Sequence, residues 1–203
     1  MSGIAERRIN GIYICFGDIS EADASCTDGF SEYRLKKLSS IRNEDEKRRS
    51  AGAEHMLIHA ASVLFPHLPL PVRYEADELG KPYFTAPEGF FLSLSHSGTL
   101  AACAVSDTPV GIDVQLERTP GAGLLRRCFT ERERGAALGD PAVFTRLWAR
   151  KEAVSKAAGL GIQIGFGSLD VLEGQTEHRG RLYSVDDVVC GFAGYHMAVS
   201  RQL

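Results

Sequence analysis

The chain has 203 residues, 44% of them hydrophobic, which is enough for one large domain or two small ones with packed cores. A formal net charge of -3 gives no global attraction to nucleic acid or an anionic membrane, so any basic site must be local. Cys15, Cys26, Cys103, Cys128 and Cys190 form no CxxC pair, the N-terminus lacks an apolar signal core, and no apolar run nears membrane-spanning length. A disulfide framework or zinc site is therefore not expected, and a soluble, cytoplasmic protein is.

Residues 8–16 are β-branched and aromatic and read as a first strand; the small, polar stretch 17–31 reads as loop. Asn43 with Glu46 three residues on has the form of a capping box, opening a helix that runs to Phe65 and is stopped by Pro66. Ala53, Met56, Leu57, Ala60 and Leu64 form its apolar stripe. Short extended pieces at 72–75 and 82–85 flank the turn Asp77-Glu78-Leu79-Gly80, and segments 90–95 and 100–106 form an antiparallel pair around Ser97-Gly98. Asp107-Thr108-Pro109 is the candidate boundary. Beyond it, Gly111-Ile112-Asp113-Val114-Gln115 reads as a strand and 124–129 as a short helix. Thr130 and Glu133 make a second capping box. Asp140 before Pro141 opens a longer helix that Gly159 closes, with Phe144, Leu147, Val154 and Ala158 facing the core. Strands are expected near 168–172, 181–185 and 194–200. Segments 100–106 and 194–200 both end in Ala-Val-Ser after a helix and a strand. That echo suggests two similar α+β halves, 1–107 and 108–203, with a cleft between them as the natural place for a ligand.

Alternation along a strand puts Asp113 and Gln115 on one face, and helical spacing puts Trp148, Glu152 and Lys156 in one stripe. A strand carboxylate facing a helix carboxylate and ammonium can hold a divalent cation against a phosphate. Each piece alone has a plainer reading: Glu152 and Lys156 as a surface salt bridge, Asp113 as an edge or turn residue, Trp148 as core. Gly80-Lys81-Pro82 fixes a cation at a tight turn. Ser95-His96-Ser97 ends a strand with small donors suited to a phosphate or to capping a turn, and Lys36, Lys37, Arg48 and Arg49 surround the first long helix. His55 and His59 are spaced for a metal but lack further ligands. There is no GxSxG, Walker A or GxGxxG, so serine hydrolase, P-loop and Rossmann readings have no motif.

In order along the chain stand Arg48 ahead of Gly52, Gly80-Lys81-Pro82, Leu94-Ser95-His96-Ser97-Gly98 and Val110-Gly111-Ile112-Asp113. Phe129-Thr130-Glu131-Arg132-Glu133 follows, then Trp148-x-x-Lys151-Glu152-Ala153-x-x-Lys156-Ala157-x-Gly159-x-Gly161 and Gly194-Tyr195-His196-Met197-Ala198-Val199. Together these resemble the Sfp-type 4′-phosphopantetheinyl transferases of the holo-acyl-carrier-protein synthase superfamily, over most of the chain. The resemblance implies an α+β fold of two pseudo-symmetric halves, each a small antiparallel sheet packed with a long helix, with coenzyme A in the cleft. It implies Mg²⁺-dependent transfer of the phosphopantetheine arm to a serine hydroxyl of an apo acyl or peptidyl carrier protein, releasing adenosine 3′,5′-bisphosphate.

Carried over by motif, Asp113 and Glu152 would ligate Mg²⁺, and Lys156 would neutralise the pyrophosphate and help the leaving phosphate depart. Arg48, Lys81, Ser95 and His96 would bind the adenine-side phosphates of coenzyme A in the first half, joined by Lys36 or Lys37; Lys151 is also counted with the coenzyme A contacts. Glu152 is the candidate base, acting directly or through a metal-held water. The chain departs from the pattern at Gln115, where many members carry Glu. It offers a metal only a carbonyl oxygen, directly or through water, and affinity in the absence of coenzyme A should suffer. An acidic carrier calls for a basic docking surface with an apolar centre. Leu124, Arg126, Arg127 and Phe129, continuing to Arg132 and Arg134, have that make-up, although an ordinary amphipathic helix would read the same. A monomer with no nucleic-acid or membrane partner is expected. The other readings are a non-catalytic coenzyme A or carrier-binding protein and a Mg²⁺-dependent nucleotide phosphohydrolase. Retention of Asp113, Lys151, Glu152 and Lys156 together weighs against the first of these.

Overall fold

Asn10 and Gly11 both lie at positive φ, 48° and 83°, the backbone a tight two-residue hairpin requires and Asn-Gly adopts readily. In the computed structural model, which describes residues 3–203, the strand expected over 8–16 is therefore split in two. β1 (Ala5–Ile9) and β2 (Ile12–Asp18) pair antiparallel about that turn. An element the sequence reading passed over follows: α1 (Glu32–Ser40), whose N-cap Ser31 accepts from the Arg34 amide at 3.1 Å. α2 (Glu44–Leu64) starts where expected, with the Asn43 side chain accepting from the Glu46 amide at 2.9 Å. Its capping box is only half made, because Glu46 turns its carboxylate to Arg49 at 2.8 Å. β3 (Arg73–Ala76) and β4 (Pro82–Ala86) form a small hairpin, and β5 (Phe91–Ser97) and β6 (Leu100–Ser106) a longer one.

The first sheet has the order β1-β2-β6-β5, all antiparallel. α2 lays Ala53, Met56, Leu57 and Ala60 against Cys15, Leu92, Cys103 and Val105 of that sheet. Gly52 allows the close approach: a Cβ there would stand 2.6 Å from Ile19 Cγ2. α1 is tied to α2 by a buried ion pair, Arg34 Nε to Glu54 Oε2 at 2.9 Å. Ser50 accepts from Arg34 at 2.9 Å, and the hydroxyls of Ser31 and Tyr74 donate to Glu54. A buried pair is tolerable only when its remaining donors and acceptors are satisfied this fully.

The chain forms two compact units that divide after Asp107. The second contains β7 (Val110–Leu116), α3 (Ala122–Cys128), α4 (Glu131–Ala136) and α5 (Pro141–Ala158). It ends with β8 (Gln175–His178), β9 (Arg181–Ser184), β10 (Asp186–Asp187) and β11 (Tyr195–Arg201). β10-β11-β7 form an antiparallel sheet on which α5 packs, and β8-β9 form a separate hairpin. Asp140 caps α5 by accepting from the Ala142 and Val143 amides at 2.9 and 3.1 Å, and Gly159 ends it at φ 70°. The fold is thus α+β, with small antiparallel sheets packed on long helices. The two Ala-Val-Ser echoes lie on β6 and β11, the strands that pack on α2 and α5 respectively. Among the described residues no helix is long and apolar enough to cross a membrane.

The strand expected near 168–172 is not there. A 3-10 turn at Phe166–Ser168 leads into an unpaired segment whose Leu169 and Val171 are buried in the core. Side chains replace the missing strand partner. Lys151 Nζ donates to the carbonyls of Phe166, at 2.8 Å, and Leu169, while Glu133 Oε1 accepts from the Val171 amide at 2.9 Å. Lys151 and Glu133 also pair with each other at 2.7 Å, both fully buried. Glu133 completes the expected capping box as well, accepting from the Thr130 amide at 2.8 Å. Buried backbone groups need partners of some kind, and here one ion pair supplies them.

Candidate active site

Gly111 decides how β7 meets α5. A Cβ at that position would lie 2.0 Å from the Ala153 carbonyl oxygen and 2.4 Å from the Ala157 amide nitrogen. Only glycine permits backbone this close, which brings the strand face bearing Asp113 onto the helix face bearing Lys156. Asp113 is 3% exposed. Its Oδ1 accepts from Lys156 Nζ at 2.6 Å, and Lys156 also donates to the Ile112 carbonyl at 3.0 Å. Its Oδ2 accepts from Gln115 Nε2 at 2.7 Å. Gln115 faces His196 across the sheet, and His196 Nε2 lies 3.6 Å from Glu117 Oε2.

Glu152 stands one turn before Lys156 on α5. Burial pushes its carboxyl up to about 7, and the neighbouring Asp113 adds to the rise, while Lys156 and Arg118 oppose it. Two carboxylates that repel each other this way suit a hard divalent cation: both give oxygen donors, and a cation would relieve their mutual repulsion. With its amide N–H committed to Asp113, Gln115 has a carbonyl oxygen to offer. Among the described residues no group of three His, Cys, Asp or Glu side chains gathers at metal-binding distance.

Arg118 was not singled out in the sequence, yet it belongs to this neighbourhood. Its guanidinium carbon lies 5.9 Å from the centroid of the Trp148 ring, and its amide donates to the buried Thr145 hydroxyl at 3.2 Å. A loop arginine just past a strand carries no periodic signal that could have marked it. Trp148 is partly buried, its ring 6.2 Å from Phe129 and 5.3 Å from Phe166.

Lys151, counted in the sequence with the coenzyme A contacts, is fully buried with its ammonium on Glu133 and two carbonyls. Burial lowers its affinity for the proton, and the Glu133 carboxylate opposes that shift. There it bridges α5 to Glu133 and to the carbonyls of Phe166 and Leu169. Phe129, expected on the docking surface, is 1% exposed and lies in the core against Phe144, their ring centroids 5.2 Å apart. Leu124 is half-buried, whereas Arg126 and Arg127 are exposed on α3. Leu124 and Arg127 line a groove of about 700 Å³ with Trp148, Phe166 and the highly exposed Ile162. Arg132 pairs with Asp170 and Glu173, each at 3.3 Å, and Arg134 donates to the Phe129 carbonyl.

In the first unit, Arg48 pairs with Asp45 at 2.6 Å and His96 Nε2 lies 3.7 Å from Glu46, so both reach the first turns of α2. Arg48 also lines a polar pocket of about 340 Å³ with Lys47 and residues 22–25. Lys81 follows the turn, its amide donating to Asp77 Oδ1 at 2.9 Å, and burial pushes its ammonium down to about 8. Ser95 is buried in β5 beside His96. Lys37 on α1 is lowered by burial and by Arg34.

Residues 109–198 match the model of the 4′-phosphopantetheinyl transferase superfamily. Among curated relatives, the chain is 27% identical over 146 residues to a 4′-phosphopantetheinyl transferase of Bacillus subtilis, covering 70% of this chain and 65% of the relative. It is 34% identical over 141 residues to 4′-phosphopantetheinyl transferase psf-1 of Bacillus pumilus, covering 61% of this chain and 60% of the relative. It is 36% identical over 154 residues to 4′-phosphopantetheinyl transferase HetI of Nostoc sp., covering 64% of this chain and 65% of the relative. Each match spans somewhat under two thirds of the relative's own length.

Proposed function

We propose that this chain transfers the 4′-phosphopantetheine arm of coenzyme A to a serine hydroxyl of an apo acyl or peptidyl carrier protein, releasing adenosine 3′,5′-bisphosphate. The observation that carries the reading is the Asp113–Glu152–Lys156 cluster held by the close β7–α5 contact, inside the region that matches the superfamily. Asp113 and Glu152 would hold Mg²⁺, its other ligands being phosphate oxygens, water and at most the Gln115 carbonyl. Bound there, Mg²⁺ would screen the pyrophosphate charge. The serine oxygen forms a bond to the phosphorus that carries the pantetheine arm, and the bond from that phosphorus to the departing adenosine bisphosphate breaks. Glu152 takes the serine proton, directly or through water. Lys156 neutralises charge on the pyrophosphate as the leaving group departs. Gln115 holds Asp113 in its orientation, a role suited to its 2.7 Å hydrogen bond.

Arg48, Lys81, Ser95 and His96 are assigned to the adenine-side phosphates of coenzyme A, the pocket beside Arg48 and the partly desolvated Lys81 supporting that choice. Arg126, Arg127 and Leu124 are assigned to the acidic carrier. Lys151 and Phe129 drop out of the ligand and docking sets because they are buried. Cytoplasmic action as a monomer completes the proposal. The test is incubation with Mg²⁺, coenzyme A and several apo carrier proteins, followed by weighing the carriers by mass spectrometry. A phosphopantetheine mass gain that vanishes in Asp113→Ala is expected. No gain on any carrier would sink the proposal, and release of inorganic phosphate instead would favour a phosphohydrolase.

A further inference from the structure

A cavity of about 350 Å³ opens at the C-terminal end of α2, lined by Ala61, Phe65, Leu68, Leu70, Val72 and Arg73 among others. None of these residues has a part in the transferase reading. Hollows of this size, mostly apolar with one or two polar groups, have the make-up of small-molecule sites. The walls are held in place: Phe65 makes edge contacts with Phe84 and Phe90, at centroid distances of 6.1 and 4.8 Å, and Val72 is 6% exposed.

Arg73 is the one charged residue among those lining the cavity. Arg34 and Arg49 of the same unit are spent on carboxylates; among the described residues the Arg73 guanidinium has no ion-pair partner. The β3–β4 register also breaks at this point: Arg73 faces Ala86, but Tyr74 faces Phe84, leaving Thr85 as the extra residue. A bulge re-aims the side chains beside it. Tyr74 enters the core at 4% exposure, while Arg73 stays exposed at the cavity.

An apolar hollow with one unspent cation recognises an apolar body that ends in one anion. We propose that the cavity binds a medium-chain fatty carboxylate, its chain against Ala61, Phe65, Leu68 and Val72 and its carboxylate paired with Arg73. Guanidinium and carboxylate match in a two-bond fork. The cavity sets the length. At roughly 30 Å³ for each water-sized group, about 350 Å³ holds on the order of a dozen heavy atoms. Decanoate, with ten carbons and two oxygens, is that size.

Isothermal titration of the whole chain with decanoate, below its micelle-forming concentration, tests this site without coenzyme A or a carrier, so its outcome is independent of the transferase reading. Saturable one-to-one binding is expected, weakened roughly tenfold or more in Arg73→Gln. Both this side chain and Ser62 are exposed, so neither change threatens folding. Ser62 also lines the cavity, and Ser62→Trp, whose ring would occupy it, should abolish binding at an unchanged melting temperature. The cation decylammonium should not bind. Absence of saturable decanoate binding, equal affinity in Arg73→Gln, or decylammonium binding as tightly as decanoate would each overturn the assignment.

Discussion

Replacing Gly111 by alanine should damage stability and activity together, and by amounts that follow from the geometry. The new Cβ would stand 2.0 Å from the Ala153 carbonyl oxygen, where ordinary contact begins at 3.4 Å, a deficit of 3.4 − 2.0 = 1.4 Å. The obstructing atoms are backbone, so no side chain can rotate away; strand and helix must separate. Overpacking costs about 1–3 kcal/mol in typical cores, and the upper end is expected here. The same separation would open the 2.6 Å contact between Lys156 and Asp113. Misplacing a catalytic group by about 1 Å can cost on the order of 100-fold in rate. Urea denaturation and the carrier mass-gain assay, run at a temperature where the variant stays folded, read the two effects separately. Gly123→Ala on α3 is the control, since a Cβ there meets nothing within 4 Å, and it should be neutral or stabilise by up to about 1 kcal/mol. A Gly111→Ala protein with the wild-type urea midpoint and a rate within about twofold of wild type would refute the reasoning.

Glu152→Gln should abolish transfer yet stabilise the chain at alkaline pH. Glu152's folded-state value of about 7 lies above the ordinary 4.5, so the native state holds the proton more tightly and stability falls as pH rises from about 4.5 to 7. At 1.36 kcal/mol for each tenfold change in proton affinity, and discounted for partial exposure, this rise amounts to about 1–2 kcal/mol at pH 8; wild type and variant with equal stability at pH 5 and pH 8 would contradict it. Glu54→Gln strands Arg34 in the core and should lower stability by about 3–5 kcal/mol, a loss that replacing both partners with apolar residues should largely recover; a single variant as stable as wild type would deny the pair its role. Gln115→Glu should tighten Mg²⁺ binding to the coenzyme-free protein by roughly tenfold, a gain of about 1.4 kcal/mol, and unchanged affinity in calorimetry would remove Gln115 from the metal's surroundings. Charge reversal at Arg126 and Arg127 should raise the KM for carrier protein and leave that for coenzyme A alone; equal effects on both would reject the docking surface.

Local signals in the chain were read well where the physics is local. Asp140-Pro141 and Gly159 bracket α5, and the Thr130–Glu133 capping box forms with both of its hydrogen bonds. Asn10-Gly11 carried an equally local hairpin signal that the run of β-branched residues around it concealed. Leu169 and Val171, inside the strand expected near 168–172, alternate in the sequence and are buried, but alternation reports only burial on one side. It does not say what satisfies the backbone, and here Lys151 and Glu133 do.

By itself, then, the sequence determined the α+β class, the long helices with their caps, and the shared faces of Asp113 with Gln115 and of Glu152 with Lys156. These follow from periods of two and about four and from capping chemistry, all set by neighbours within a few positions. Tertiary structure decided which of those faces meet and what each charge is spent on. It put Lys156 on Asp113, Lys151 on Glu133 and Arg34 on Glu54, and it sank Phe129 beneath the surface on which Arg126 and Arg127 remain exposed. Such pairings join positions far apart in the chain. The competition between desolvation and a partner's charge that selects them exists only once the backbone has closed, at Gly111 above all, to within touching distance.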